Sequence, residues 1–78
     1  MGNKRGLAYS YINTAATYRR QGNYEKAYEY NRKSYAILEE IADKTGMANA
    51  SMGLATIYNE QEIFDKALIQ YEIYFALV

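Results

Sequence analysis

The sequence predicts an all-α fold, a short segment of α-solenoid built from two helix-turn-helix units. Three observations predict it. The chain matches itself at an offset of 40 residues, its apolar residues recur at helical spacing inside each unit, and it contains no proline to break a helix interior. A self-match with a period between about 20 and 50 residues is the signature of stacked repeats.

The offset brings Lys4 onto Lys44, Gly6 onto Gly46, Ala8 onto Ala48, Ala15 onto Ala55 and Tyr18 onto Tyr58. It continues through Gln21 and Gln61, Lys26 and Lys66, Ala27 and Ala67, and Ala36 and Ala76. Conservative pairs fill the gaps, among them Leu7 with Met47, Tyr24 with Phe64, Glu25 with Asp65 and Tyr35 with Phe75. One domain over residues 1–78 is expected, with a first repeat at about 4–42 and a second at about 44–78.

Within the first unit Leu7, Tyr11, Thr14, Ala15 and Tyr18 form one stripe, and Ala50, Leu54, Ala55 and Tyr58 do so in the second. These stripes mark the first helix of each unit. Tyr24, Ala27, Tyr28, Asn31, Tyr35, Leu38 and Ile41, then Phe64, Ala67, Leu68, Tyr71, Phe75 and Val78, mark the second helices. Asn3 and Asp43 stand before the first helices and Asn23 before a second one, each with a side-chain oxygen suited to capping orphan backbone N–H groups. Helices are expected at about 4–21, 24–42, 44–61 and 64–78. Gly22 suits the left-handed residue that ends many helices. Its counterpart Glu62 does not, so a strained or slightly altered turn is expected at Gln61-Glu62-Ile63.

Composition narrows the function. With no cysteine and no histidine, thiolate nucleophiles, disulfides, imidazole bases and the common soft metal ligands are all missing, and no enzyme activity, cofactor or metal is expected. Glu39, Glu40 and Asp43 are the only dense acidic group, and they read as a solvated helix end. The longest apolar run, Tyr74 to Val78, is far too short to cross a bilayer, and Met1-Gly2-Asn3-Lys4-Arg5-Gly6 lacks the apolar stretch of a secretory signal. A cytoplasmic location is therefore expected. Zero net charge argues against capture of nucleic acid or of a membrane surface. That balance conceals an asymmetry, since residues 1–46 carry +3 and residues 47–78 carry −3.

Small alanines with aromatics beside them resemble the tetratricopeptide repeat, carried here by Tyr11, Ala15, Tyr18, Gly22, Tyr24 and Ala27 and again by Leu54, Ala55, Tyr58, Phe64 and Ala67. The resemblance implies four antiparallel helices in a right-handed solenoid, working as an interaction module for a peptide or protein. The period of 40, with a longer second helix running toward Gly46, resembles the long-repeat subclass of that family. In such repeats the first helices line a concave surface. The groove positions implied here are Tyr9, Ile12, Asn13, Ala16, Arg19 and Arg20, then Asn49, Met52, Gly53, Thr56, Asn59 and Glu60.

Asn13 could donate to and accept from a peptide backbone at once, or lie on a plain solvated face. Arg19 and Arg20 could fork onto an acidic peptide, or simply complement the dipole at a helix C-terminus. The clamp by which some members hold a C-terminal carboxylate needs a lysine and asparagines. Ile12, Ala16, Met52 and Gly53 occupy those places, so chaperone-tail binding is not expected. Tyr71, Tyr74, Phe75 and Val78 lie at helical spacing on the last helix, and no capping helix follows. Self-association through that face, giving a homo-oligomer, is the alternative function, with a second copy as the partner.

Overall fold

A computed structural model describes residues 3–78. Four helices follow one another, α1 (Asn3–Arg20), α2 (Tyr24–Glu40), α3 (Lys44–Glu60) and α4 (Phe64–Leu77), and no strand occurs among the described residues. The sequence-based bounds run one or two residues past most helix ends. Asn3 lies inside α1 rather than before it, and Met1 and Gly2, which the secretory-signal reading used, are outside the described residues. The second helix is not the longer one. In the first unit α1 has 18 residues and α2 has 17, so the 40-residue period is divided almost evenly between the two helices.

The near-even division follows from three identical turns. Gly22, Ala42 and Glu62 each adopt a left-handed conformation, with φ of 80°, 57° and 63°. After each of them the chain closes the same backbone bond. The N–H of Asn23 donates to the Tyr18 carbonyl at 2.9 Å, that of Asp43 to Leu38 at 2.9 Å and that of Ile63 to Tyr58 at 2.8 Å. A bond spanning three residues accompanies each, from Gly22 to Arg19, Ala42 to Glu39 and Glu62 to Asn59. This double closure satisfies carbonyls that a helix end leaves free.

The Glu62 turn is therefore unaltered in hydrogen bonding, and its strain sits in one backbone angle that a Cβ disfavours. The same strain falls at Ala42, which sequence reasoning passed over. Asn23 and Asp43 then cap the helices that follow, accepting from the N–H of Lys26 at 3.3 Å and of Gly46 at 3.0 Å. Ile63 offers no such cap to α4. Glu62→Gly should stabilise the fold by about 0.5–1 kcal/mol, the left-handed penalty less the added freedom of the unfolded chain. A thermal melt checks this, and a midpoint that stays put or falls would show that Glu62 carries no strain.

Adjacent helices pack in sequence order, and α1 also touches α3, whereas no α2–α4 contact occurs among the described residues. The first helices thus lie closer together than the second helices, so the layer curves with α1 and α3 on its inner side. α3 is the one helix that touches the other three, and it carries the most buried residues. A central cluster joins Ala8 of α1, Leu38 of α2 and Ala50 of α3, with Tyr9, Ile12, Tyr35, Ile37, Ile41 and Met47 packed around it. Ala15, Ala27, Ala55 and Ala67, the small residues on which the repeat pattern rests, are all buried. Among the described residues no helix is long and apolar enough to cross a membrane.

Candidate functional site

On the inner side, α1 and α3 enclose a cleft of about 210 Å³ lined by Ile12, Ala16, Arg19, Asn31, Asn49, Met52, Gly53 and Thr56. Ile12, Ala16 and Met52 supply apolar surface. Thr56 turns its hydroxyl back to the Met52 carbonyl at 2.9 Å, so its methyl group remains for contact. Arg19 closes one end, its Nη1 bonding Glu60 Oε2 at 2.8 Å across the two first helices. That pair joins the basic and acidic halves within the chain, so part of the charge asymmetry is satisfied internally.

Of the groove positions inferred from the sequence, Ile12, Ala16, Arg19, Asn49, Met52, Gly53 and Thr56 come together around this cleft, with Glu60 held at its end by Arg19. Tyr9 does not. Its ring packs against the central cluster and its hydroxyl points to Asp43 Oδ2 at 3.4 Å. Asn13, Arg20 and Asn59 are exposed and lie outside the lining. Asn13 misses it although Gly53, its counterpart one repeat on, is part of the wall.

The tetratricopeptide repeat family model matches residues 6–76. The chain belongs to that family. Repeats of this kind generally mediate protein–protein interaction. No curated protein and no solved structure gives a significant match.

Two features of this tetratricopeptide repeat pair escaped sequence reasoning. Asn31 reaches the inner cleft from α2, a helix that supplied none of the groove positions inferred from the sequence. Its burial is readable from the stripe it shares with Ala27 and Leu38, but its destination is not. The second feature is an outer groove of about 340 Å³ where α2 and α4 splay apart, lined among others by Arg32, Ala36, Leu54 and Gln70. Beside it Arg32 donates from Nη1 to the Tyr28 hydroxyl at 2.9 Å, and the rings of Tyr28 and Tyr58 lie 5.7 Å apart. Burial, then the contact with Tyr28, pushes the Tyr58 phenol up to about 12. Bonding to Tyr58 and Arg32 lowers that of Tyr28.

Away from the cleft, the acidic group at the α2–α3 turn is engaged by the start of α1. Lys4 Nζ meets Glu40 Oε2 and Arg5 Nε meets Asp43 Oδ2, both at 2.9 Å. The first pair is solvent-exposed and contributes little. No group of three or more His, Cys, Asp or Glu is placed to hold a metal among the described residues. The Gly46 N–H, followed by Arg5 and Tyr9, holds the Asp43 carboxyl below its usual range against the opposing effect of burial.

A depressed acid stabilises the fold at pH values above its unfolded pKa of about 3.9, and that stabilisation fades as pH falls through the lower folded value. The wild-type chain should therefore lose stability below about pH 4 more steeply than Asp43→Asn. Urea midpoints followed from pH 6 to pH 2.5 measure this. Parallel curves would remove Asp43 from the account.

The residues proposed for self-association all lie on α4 or at its end. Tyr71 and Tyr74 are half-buried, and Tyr74 meets Phe75 edge-on with centroids 5.3 Å apart. Phe75 and Val78 are 69% and 74% exposed, and Leu68 also faces solvent.

Proposed function

We propose that the chain is a non-catalytic binding module that holds a peptide or protein segment along the concave face formed by α1 and α3. The observation that carries this reading is the inner cleft itself. It combines apolar walls with Asn49, Thr56 and the Arg19–Glu60 pair, a mixture suited to side chains of an extended or helical segment and too small for a drug-sized molecule. The 40-residue period, from Tyr24 to Phe64 at the start of the second helices, supports the long-repeat subclass. A cytoplasmic site of action belongs to the same reading, and no nucleic-acid or membrane partner does.

The test is selection of peptides from a random twelve-residue library against the intact chain, followed by affinity measurement on two variants. Met52→Arg places a charge in the inner cleft and should weaken the selected peptides by about tenfold or more, equivalent to about 1.4 kcal/mol, with the helical signal unchanged. Ala36→Arg alters the outer groove and should leave affinity alone. The reverse pattern would move binding to the α2–α4 side and end the concave-face reading.

A second reading, self-association through α4, is favoured by the exposed Phe75, Leu68 and Val78. A two-fold α4–α4 contact or head-to-tail stacking would each cover that exposed face. Light scattering at two concentrations tests it. A mass above one chain that Phe75→Lys and Tyr71→Glu reduce would support it, and a constant single-chain mass would sink it.

A further inference from the structure

We propose that Asn31 and Gly53 form a subsite, within the concave binding face proposed above, for a neutral carboxamide side chain of the bound segment, that of glutamine or asparagine. Asn31 is only 4% exposed, yet its Oδ1 has no hydrogen-bond partner, and the residue lines the inner cleft. A buried amide oxygen without a partner destabilises a fold, so its persistence at the wall of a cleft points to a ligand that completes it.

Gly53 makes the arrangement possible. A Cβ on residue 53 would lie 2.8 Å from Asn31 Nδ2 and 2.9 Å from its Oδ1, closer than atoms pack, so any other residue there would push the amide aside. The combination is confined to this cleft within the repeat. One period earlier, position 53 corresponds to Asn13, and one period later, position 31 corresponds to Tyr71.

The chemistry of the occupant follows from what surrounds the amide. A carboxamide carries both a donor and an acceptor, and because Oδ1 itself has less than 1 Å² exposed, a turn of the Asn31 amide that brings this oxygen to the cleft lets the two pair. Ile12, Ala16 and Met52 would cover its methylene stem. A charged side chain would surrender its water without finding an opposite charge, because Arg19 and Glu60 already neutralise each other at 2.8 Å. The volume of about 210 Å³ admits one side chain and little more.

The experiment uses the intact ¹⁵N-labelled chain and four peptides, acetyl-Ala-Ala-X-Ala-Ala-amide with X as Gln, Glu, Lys or Leu. Each is titrated while the Asn31 side-chain amide and Gly53 backbone N–H resonances are followed. The Gln peptide should bind tighter than the other three by about fivefold, the order of one buried neutral hydrogen bond, and should move both resonances. Asn31→Leu should erase the preference and raise the melting temperature, because it removes an unpaired polar group. Gly53→Ala should erase it by displacing the amide.

Equal affinity for all four peptides, with shifts at Met52 and Thr56 but none at Asn31, would overturn the subsite and leave the concave-face reading standing. Shifts confined to Ala36 and Gln70, or no binding at all, would end both. An Asn31→Leu variant that keeps the preference, or that melts lower than wild type, would show the amide to be a packing element and overturn the proposal.

Discussion

Leu38→Ala is expected to destabilise the fold by about 3 kcal/mol, within the range that fully buried leucines show when a cavity is left behind. Leu38 has no exposed surface and sits where α1, α2 and α3 meet, among Ala8, Ala50, Tyr9, Ile12 and Met47. A chain of 78 residues starts from a small margin, so this single change should leave much of it unfolded at ambient temperature. The environment also makes a prediction about Gly46. A Cβ there would lie 2.5 Å from Leu38 Cδ2 and 3.1 Å from Cδ1, so Gly46→Ala forces the leucine from its seat and should by itself cost about 2 kcal/mol. In Leu38→Ala both of those contacts are gone, and the same Cβ keeps only a 3.1 Å approach to the Tyr9 hydroxyl. The double variant should therefore be less destabilised than the sum of the singles, with a coupling of about 1 kcal/mol or more from urea unfolding. Strict additivity would mean that the two positions do not share a packing site.

Gly46 shows why part of this fold could be read from the sequence and part could not. Its recurrence with Gly6 belongs to the repeat and helped to define it, but Gly6 has open space where a Cβ would point and Gly46 does not. Equivalence by sequence is thus not equivalence by environment. Helix number, order and most bounds were legible because small and aromatic residues recur at 3.6-residue spacing, and because Asn23 and Asp43 announce helix starts by their chemistry. The turn at Ala42 was not legible, since alanine, unlike glycine or asparagine, has nothing that favours a left-handed angle and nothing local marks it.

The candidate cleft was legible in its walls. Ile12, Ala16, Met52 and Thr56 share the inner stripe of α1 and α3, and the family resemblance assigns that stripe to a groove. Tyr9 was misplaced because periodicity alone cannot say that its ring fills the space beside Asp43 and Met47. Asn31 was missed for a related reason. A residue on a second helix reaches the inner face only because α3 presents a glycine opposite it, a pairing across 22 residues of sequence that no single-helix pattern contains.

Ala15 and Ala55 occupy the same place in the repeat, and replacing each with leucine separates what the repeat specifies from what the assembled helices specify. Both are fully buried, and an added isobutyl group would have to be accommodated by moving a helix. Around Ala15 the helix concerned, α1, packs against α2 and α3 and leaves its remaining side to solvent, so it can shift outward. Around Ala55 no such relief exists, because α3 is packed against α1, α2 and α4 together. Ala55→Leu is therefore expected to cost about 3 kcal/mol or more and Ala15→Leu about 2 kcal/mol, a ranking that urea unfolding of the two variants measures. Equal losses would mean that each helix pair answers to its own packing alone. The expected inequality would instead show that the stability of this chain is concentrated in α3, the helix that also forms half of the proposed binding face.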